Sequence, residues 1–114
     1  MWRAAMISTR EEAELMFSKW METSATIFFT AFRPDHTLAS SFDGTIVGVS
    51  EDLVLIMGEG EKAEVDLRDA EFAFATERDL PVEVLKELNT TFDSGIFINQ
   101  ADGSTYSFLE VCQK

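Results

Sequence analysis

The sequence contains very few of the residues that most often carry out chemistry. One histidine, His36, and one cysteine, Cys112, occur among the 114 residues. Histidine and cysteine supply most general bases, nucleophiles and soft metal ligands in enzymes. A lone cysteine also excludes an internal disulfide and favours a reducing compartment. We therefore expect a protein without catalytic residues, a bound metal or a cofactor.

Basic side chains are scarce as well, which excludes whole classes of partner. Nine Lys and Arg residues stand against 21 Asp and Glu residues, giving a formal net charge of −12. The basic residues are scattered singly between Arg3 and Lys114. Phosphate groups would meet a repulsive field at such a surface. We expect no nucleic-acid partner and no binding to anionic membranes.

Long apolar runs are also missing. No stretch approaches the roughly 20 apolar residues of a membrane-spanning helix. The apolar segment Met1–Ile7 is shorter than the hydrophobic region of a signal peptide, and polar residues follow it at once. We expect a soluble cytoplasmic protein with no membrane partner.

Apolar and aromatic residues are abundant by contrast. The chain has ten Phe residues and a hydrophobic fraction of 46%. A chain of this length buries roughly two-thirds of its unfolded surface, which is enough for a packed core. We expect residues 1–114 to form a single domain.

The first regular element that the pattern predicts is a helix from Thr9 to about Met21. Thr9 followed three residues later by Glu12 is a capping box. The apolar residues then recur at helical spacing and form one stripe, which comprises Ala13, Met16, Phe17, Trp20 and Met21. We expect this helix to dock through Phe17 and Trp20.

Residues 24–75 have the composition and alternation of a strand-rich segment. Turn signals separate the predicted strands, which are 24–32, 37–42, 45–49, 53–57, 62–67 and 71–75. The pair Asp43-Gly44 leaves two interpretations open, a type I′ hairpin turn or a bulge that bends one long strand. The short links between strands favour antiparallel pairing.

The last third is predicted to contain a short second helix and a hairpin. The helix runs from Asp79 to Asn89, with a proline in its first turn. The hairpin pairs 95–98 with 105–109 around a turn that contains Gly103. We therefore predict an α+β fold with an N-terminal amphipathic helix, a strongly curved and mainly antiparallel sheet, a short second helix and a C-terminal hairpin. We expect the sheet to be partly closed, like a barrel.

Two candidate reactive groups have ordinary structural interpretations. His36 lies in a turn beside Asp35 and near Ser40 and Ser41, but neighbouring residues in a turn seldom form a catalytic arrangement. Cys112 has no cationic or helical neighbour that would activate its thiol. We interpret His36 as an exposed turn residue and Cys112 as an inert thiol.

An acid-rich stretch between Glu51 and Glu71 also admits two interpretations. Its turn 58–61 offers carbonyl groups and carboxylates for weak cation binding, although the spacing of the acids does not match an EF-hand loop. On an alternating strand such as 62–67 the charged side chains face water instead. There they also discourage aggregation at a sheet edge. We favour the solvated surface over a metal site.

The aromatic residues are therefore the basis of the functional prediction. Strand 24–32 is apolar on both faces, and such a strand needs cover on both sides. The residues that we expect to form an interface or to line a ligand pocket are Phe17, Trp20, Phe28, Phe32, Phe72 and Phe74.

Three functions follow, in order of preference. The first is a small non-enzymatic domain that acts by protein association, as a homodimer through the N-terminal helix and first strand or with another protein. The second is a curved-sheet domain that binds a small apolar ligand in a pocket lined by Phe28, Phe32, Phe72 and Phe74. The third is a metal-dependent enzyme that uses the acid-rich stretch.

Overall fold

An antiparallel sheet forms most of the structure, a computed structural model that describes residues 6–75 and 92–111. One helix, α1 (Arg10–Thr23), lies in these ranges. The strands in chain order are β1 (Met6–Ser8), β2 (Ile27–Phe32), β3 (Leu38–Val49), β4 (Leu53–Gly58), β5 (Glu61–Asp66), β6 (Glu71–Ala75), β7 (Phe92–Asn99) and β8 (Thr105–Val111). The eight strands form one sheet in the order β1-β6-β7-β8-β2-β3-β4-β5, and neighbouring strands are antiparallel. The predicted α+β class is confirmed.

Helix α1 begins where its capping residues predict. The Thr9 hydroxyl oxygen accepts a hydrogen bond from the Glu12 backbone N–H over 3.2 Å, and the hydroxyl donates to Glu12 Oε1 at 3.2 Å. The helix ends at Ser24, which has a φ of 53° in the left-handed region. The last helical residue, Thr23, therefore lies two residues beyond the predicted end of the helix. No helix in the described part of the chain is long and apolar enough to cross a membrane.

The C-terminal hairpin is confirmed, and it completes the middle of the sheet. β7 pairs with β8, and β8 pairs on its other side with β2. The turn between them is closed by hydrogen bonds between Gln100 and the residues Gly103 and Ser104. The predicted second helix, 79–89, lies outside the described residues.

The segment around Asp43-Gly44 is one continuous strand. β3 spans residues 38–49 without a turn, so the hairpin interpretation is wrong and the long-strand interpretation is confirmed. The irregularity in its pairing lies between Ile46 and Gly48, a few residues after the position that we expected. The first half of β3 pairs with β2 and the second half pairs with β4. Gly44 takes part in both ladders, opposite Ile27 and opposite Gly58.

Two glycines face each other where β3 changes neighbours. A Cβ atom placed on Gly44 would lie 2.5 Å from the Met57 carbonyl oxygen, and one on Gly58 would lie 2.5 Å from the Asp43 carbonyl oxygen. Real side chains do not tolerate such distances from backbone atoms. The two strands therefore approach each other here in a way that only glycine permits.

The sheet is not closed into a barrel. β1 and β5 lie at its two ends, and within the described ranges each pairs with one strand. The predicted partial closure is therefore wrong for the strand ladder. Side-chain contacts connect the two halves instead: Gln100 Nε2 donates to the Asp66 carbonyl of β5 over 2.8 Å, and Val65 of β5 shares the buried core with Phe72 of β6.

The core lies between α1 and the face of the sheet that this helix covers. We call this the inner face and the opposite one the outer face. Phe29 of β2 is at the centre of the inner face, with its ring centroid 5.3 Å from that of Phe42 and 5.1 Å from that of Phe108. The helix adds Ala13, Phe17 and Trp20. Tilted and edge-to-face aromatic contacts of this kind stabilise a core beyond the area that they bury.

Replacing Gly44 with alanine should lower the free energy of unfolding by about 1–3 kcal/mol, because the added methyl group must displace the β4 backbone. The matched control is Gly48→Ala in the same strand. Its Cβ would lie 3.6 Å from Leu55 Cβ, an ordinary contact, so its stability should stay within about 0.5 kcal/mol of wild type. Urea denaturation followed by circular dichroism measures both variants. Equal stabilities would contradict the steric role of Gly44.

Candidate interaction surfaces

The two aromatic residues predicted to dock helix α1 contact the chain's own sheet. Phe17 and Trp20 are 0% and 1% exposed. The Phe17 ring centroid lies 4.9 Å from that of Phe108, edge to face, and 5.8 Å from that of Trp20. A partner could not reach either side chain without displacing the helix. The apolar stripe of α1 is thus used within the monomer.

A polar contact fixes the end of the same helix. Trp20 Nε1 donates a hydrogen bond to Glu110 Oε1 on β8 over 3.1 Å. The indole N–H is a donor only, and burial removes its access to water. Glu110 therefore satisfies a group that would otherwise lose its hydrogen bond on folding.

Three of the four phenylalanines predicted to line one pocket, Phe28, Phe32 and Phe72, are divided between the two faces of the sheet. Phe29 points to the core, so Phe28 and Phe32 lie on the outer face by strand alternation, where both are half-buried. Phe72 belongs to the inner core. Phe74 lies two residues further along β6, opposite Ile96. The structure therefore does not bring Phe28 and Phe32 together with Phe72 around one pocket.

The outer face differs from one half of the sheet to the other. On the β7–β8–β2 side, Phe97 and Leu109 are each 1% exposed, and Leu109 pairs with Phe28. On the β3–β4 side, three apolar residues of the outer face are exposed: Val47 and Met57 are each 45% exposed and Leu53 is 36% exposed. The second half therefore presents apolar side chains that the protein's own core does not use. The sequence signal is Leu53-x-Leu55-x-Met57, apolar at every outward position of β4.

The acid-rich stretch contains one well-defined ion pair. Arg68 NH2 lies 2.9 Å from Asp66 Oδ2, and the Arg68 backbone N–H donates to Asp66 Oδ1 over 2.8 Å. The hydrogen bonds from the Arg68 side chain and backbone lower the pKa of Asp66 from 3.8 to about 2. Among the residues that the structure describes, no group of three or more His, Cys, Asp and Glu side chains could hold a metal ion.

His36 occupies an exposed turn. Its φ is 70°, and its backbone N–H donates to the Arg33 carbonyl over 2.8 Å. The neighbouring carboxylate of Asp35 accepts hydrogen bonds from the Thr37 hydroxyl at 2.6 Å and the Thr37 backbone N–H at 3.0 Å, which lower the pKa of Asp35. Asp35 therefore stabilises the turn as an Asx motif. Cys112 lies outside the described residues.

Strand β5 is an edge of the sheet, because among the strands that the structure describes it pairs with β4 alone. A two-residue turn joins it to β4, so the flanking pair, Gly58 with Glu61, is hydrogen-bonded. Hydrogen-bonded and non-hydrogen-bonded pairs alternate along an antiparallel ladder. The residues of β5 whose N–H and C=O groups point away from β4 are therefore Lys62, Glu64 and Asp66.

The contacts of β5 agree with this alternation. The Asp66 carbonyl accepts a hydrogen bond from the side chain of Gln100, which lies on the side away from β4. The backbone N–H of the next residue, Leu67, points the other way and donates to the Asp52 carbonyl over 2.8 Å. The side chains of Lys62 and Glu64 are both exposed. The sequence analysis did not identify β5 as an edge strand. Alternation predicts which face of the sheet a side chain lies on, but it does not predict which strand lies at the end of the sheet.

Comparison with protein families, with curated proteins and with solved structures gives no match to this chain. Its function must therefore be inferred from its own surfaces.

Replacing Glu110 with alanine should lower the free energy of unfolding by about 1–3 kcal/mol, because the buried Trp20 N–H loses its acceptor. Glu110→Gln keeps an oxygen at the same place and should lose less than Glu110→Ala. Thermal and urea denaturation measure both variants. Identical losses in the two variants would show that the hydrogen bond is not what matters.

The Asp66 carboxyl should titrate at about 2 in the folded protein, measured by carbon NMR chemical shifts. Because this pKa is lowered from 3.8, the stabilisation by the ion pair is present above that value and is lost as the pH falls through about 2. In Arg68→Ala the midpoint should rise but stay below 3.8, since the backbone N–H of residue 68 still donates. An unchanged midpoint in the variant would contradict this assignment.

Proposed function

We propose that the protein is a non-enzymatic domain that acts by protein association and forms a homodimer through the free edge of β5. The observation that supports this most directly is the edge itself, a six-residue strand whose outward side chains lie in solvent. Unpaired strand edges are templates for strand addition, and many protein complexes form in this way. The sequence pattern suggested an interface at the N-terminal helix and the strand 24–32, which correspond to α1 and β2. Phe17 and Trp20 of α1 and Phe29 of β2 pack in the protein's own core instead.

A second copy of the chain suits this edge. Antiparallel pairing of two identical strands about a twofold axis is self-complementary and closes after two subunits, as in most homodimers. It would also continue the outer face from one protomer into the next. The exposed residues Leu53 and Met57 of both copies would then lie on one joined surface.

The two alternatives find less support. The second hypothesis, a pocket for a small apolar ligand, rests on four phenylalanines, of which Phe28 and Phe32 lie on the outer face and Phe72 on the inner face. The third hypothesis, a metal-dependent enzyme, rests on acids that lie on β5 and its turns, where Asp66 is paired with Arg68. We rank both below association.

Sedimentation velocity from low to high micromolar concentration should show a monomer–dimer equilibrium. Each protomer carries a net charge of −12, so the two copies repel each other at long range. Raising the ionic strength from about 0.01 M to about 0.15 M shortens the Debye length from about 30 Å to about 8 Å, and dimerisation should strengthen severalfold. A strict monomer at every concentration and salt level would overturn the proposal.

A further inference from the structure

We infer that the two copies of β5 pair in one particular register, with Lys62 of each copy opposite the partner's Glu64 and with the twofold axis at Ala63. This inference rests on the proposed homodimer and adds the residues that select the partner and its alignment. It makes Lys62 and Glu64 the specificity-determining pair of the edge.

The backbone restricts the possible registers. Lys62, Glu64 and Asp66 direct their N–H and C=O groups away from β4, so these residues must form the hydrogen-bonded pairs between the two copies. Because they are two positions apart in the sequence, the twofold axis passes through a residue and not between two residues. Centring on Glu61, Lys62, Glu64 or Asp66 sets that charged residue opposite itself. Centring on Val65 sets Glu64 opposite the partner's Asp66. These five registers all place like charges directly opposite each other, which is destabilising. Centring on Glu64 would also set Lys62 opposite the partner's Asp66, but that hydrogen-bonded pair needs the Asp66 carbonyl, which already accepts from Gln100.

Centring on Ala63 is the remaining register within the strand. It sets Lys62 opposite the partner's Glu64 twice, once on each side of the axis. Each of these pairs is of the hydrogen-bonded kind, so the two pairs together form about four backbone hydrogen bonds. Opposite charges at directly facing positions add a favourable cross-strand interaction.

The local structure is compatible with this arrangement. Ala63 faces the inner side of the sheet and is half-buried, so its small side chain leaves room for the partner's Ala63 at the axis. The Asp66 carbonyl is already bonded to Gln100, and this register does not use it. In the described part of the chain the ion pairs involve Arg10 and Arg68, so the exposed ammonium group of Lys62 is free to pair with another chain.

The net charge of the protein explains why a specific pair would be needed. Two bodies of charge −12 associate poorly unless positive charge is placed where they touch. Lys62 is the one basic residue of β5 and lies at the exposed edge. Acidic residues on the same strand then disfavour every other alignment and other acidic partners, which is how edge charges give specificity.

A charge-swap experiment tests the register. Lys62→Glu places two glutamates opposite each other across the axis, and Glu64→Lys places two lysines opposite each other. Each variant alone should dimerise at least tenfold more weakly than wild type in sedimentation velocity. An equimolar mixture of the two variants should form a heterodimer, because every facing pair is then of opposite charge. The double variant K62E/E64K should recover the homodimer.

Matched controls separate local pairing from net charge and from misfolding. Lys19→Glu and Glu22→Lys make the same changes in charge at exposed positions of α1, and they should dimerise within about twofold of wild type. Circular dichroism should show that all variants are folded. A wild-type dimer that both single variants retain, or a variant mixture that stays monomeric, would overturn the register. A monomeric wild type would overturn the proposed function itself.

Discussion

The close contact between β3 and β4 at Gly44 and Gly58 is the constraint on which the rest of the sheet depends. β3 pairs with β2 before this point and with β4 after it, so the direction in which the sheet continues is set here. A side chain on either residue would collide with the opposite backbone. Because the strands can approach, β4 and β5 reach the same core as α1, and Val65 is buried together with Phe72.

That arrangement also decides which surfaces stay available. The inner face is filled by the helix and by a cluster of tilted aromatic rings. The outer face is buried at Phe97 and Leu109 but open around β4. In the described part of the chain the ladder ends at β5 without meeting β1, so β5 keeps backbone groups that point away from β4. Charged side chains on that strand disfavour pairing with other strand edges. They leave one alignment of two copies in which opposite charges face each other.

Local signals in the sequence predicted the elements well and their assembly less well. The Thr9 cap and the 3.6-residue apolar period placed α1 to within two residues, because both act within a few turns of one helix. Alternation at 62–67 correctly assigned Val65 to the core. The hairpin turn at Asp43-Gly44 was one of two open interpretations and is wrong, since this pair is typical of turns but Gly44 serves here as a contact between strands.

The sequence by itself determined the class of the fold, the acidic surface and several buried side chains, such as Phe17, Trp20 and Val65, because composition and periodicity act locally. It also placed Met21 in the apolar stripe of α1, where the side chain is 37% exposed. Only the tertiary structure decided which strands are neighbours, that Phe28 and Phe32 lie on the face opposite to Phe72, and that β5 is an edge. Strand order depends on contacts between residues far apart in the chain, and alternation is the same for central and edge strands. The candidate interface is therefore a property of the assembled sheet, although the charges that would align the two copies all lie in the six consecutive residues of β5.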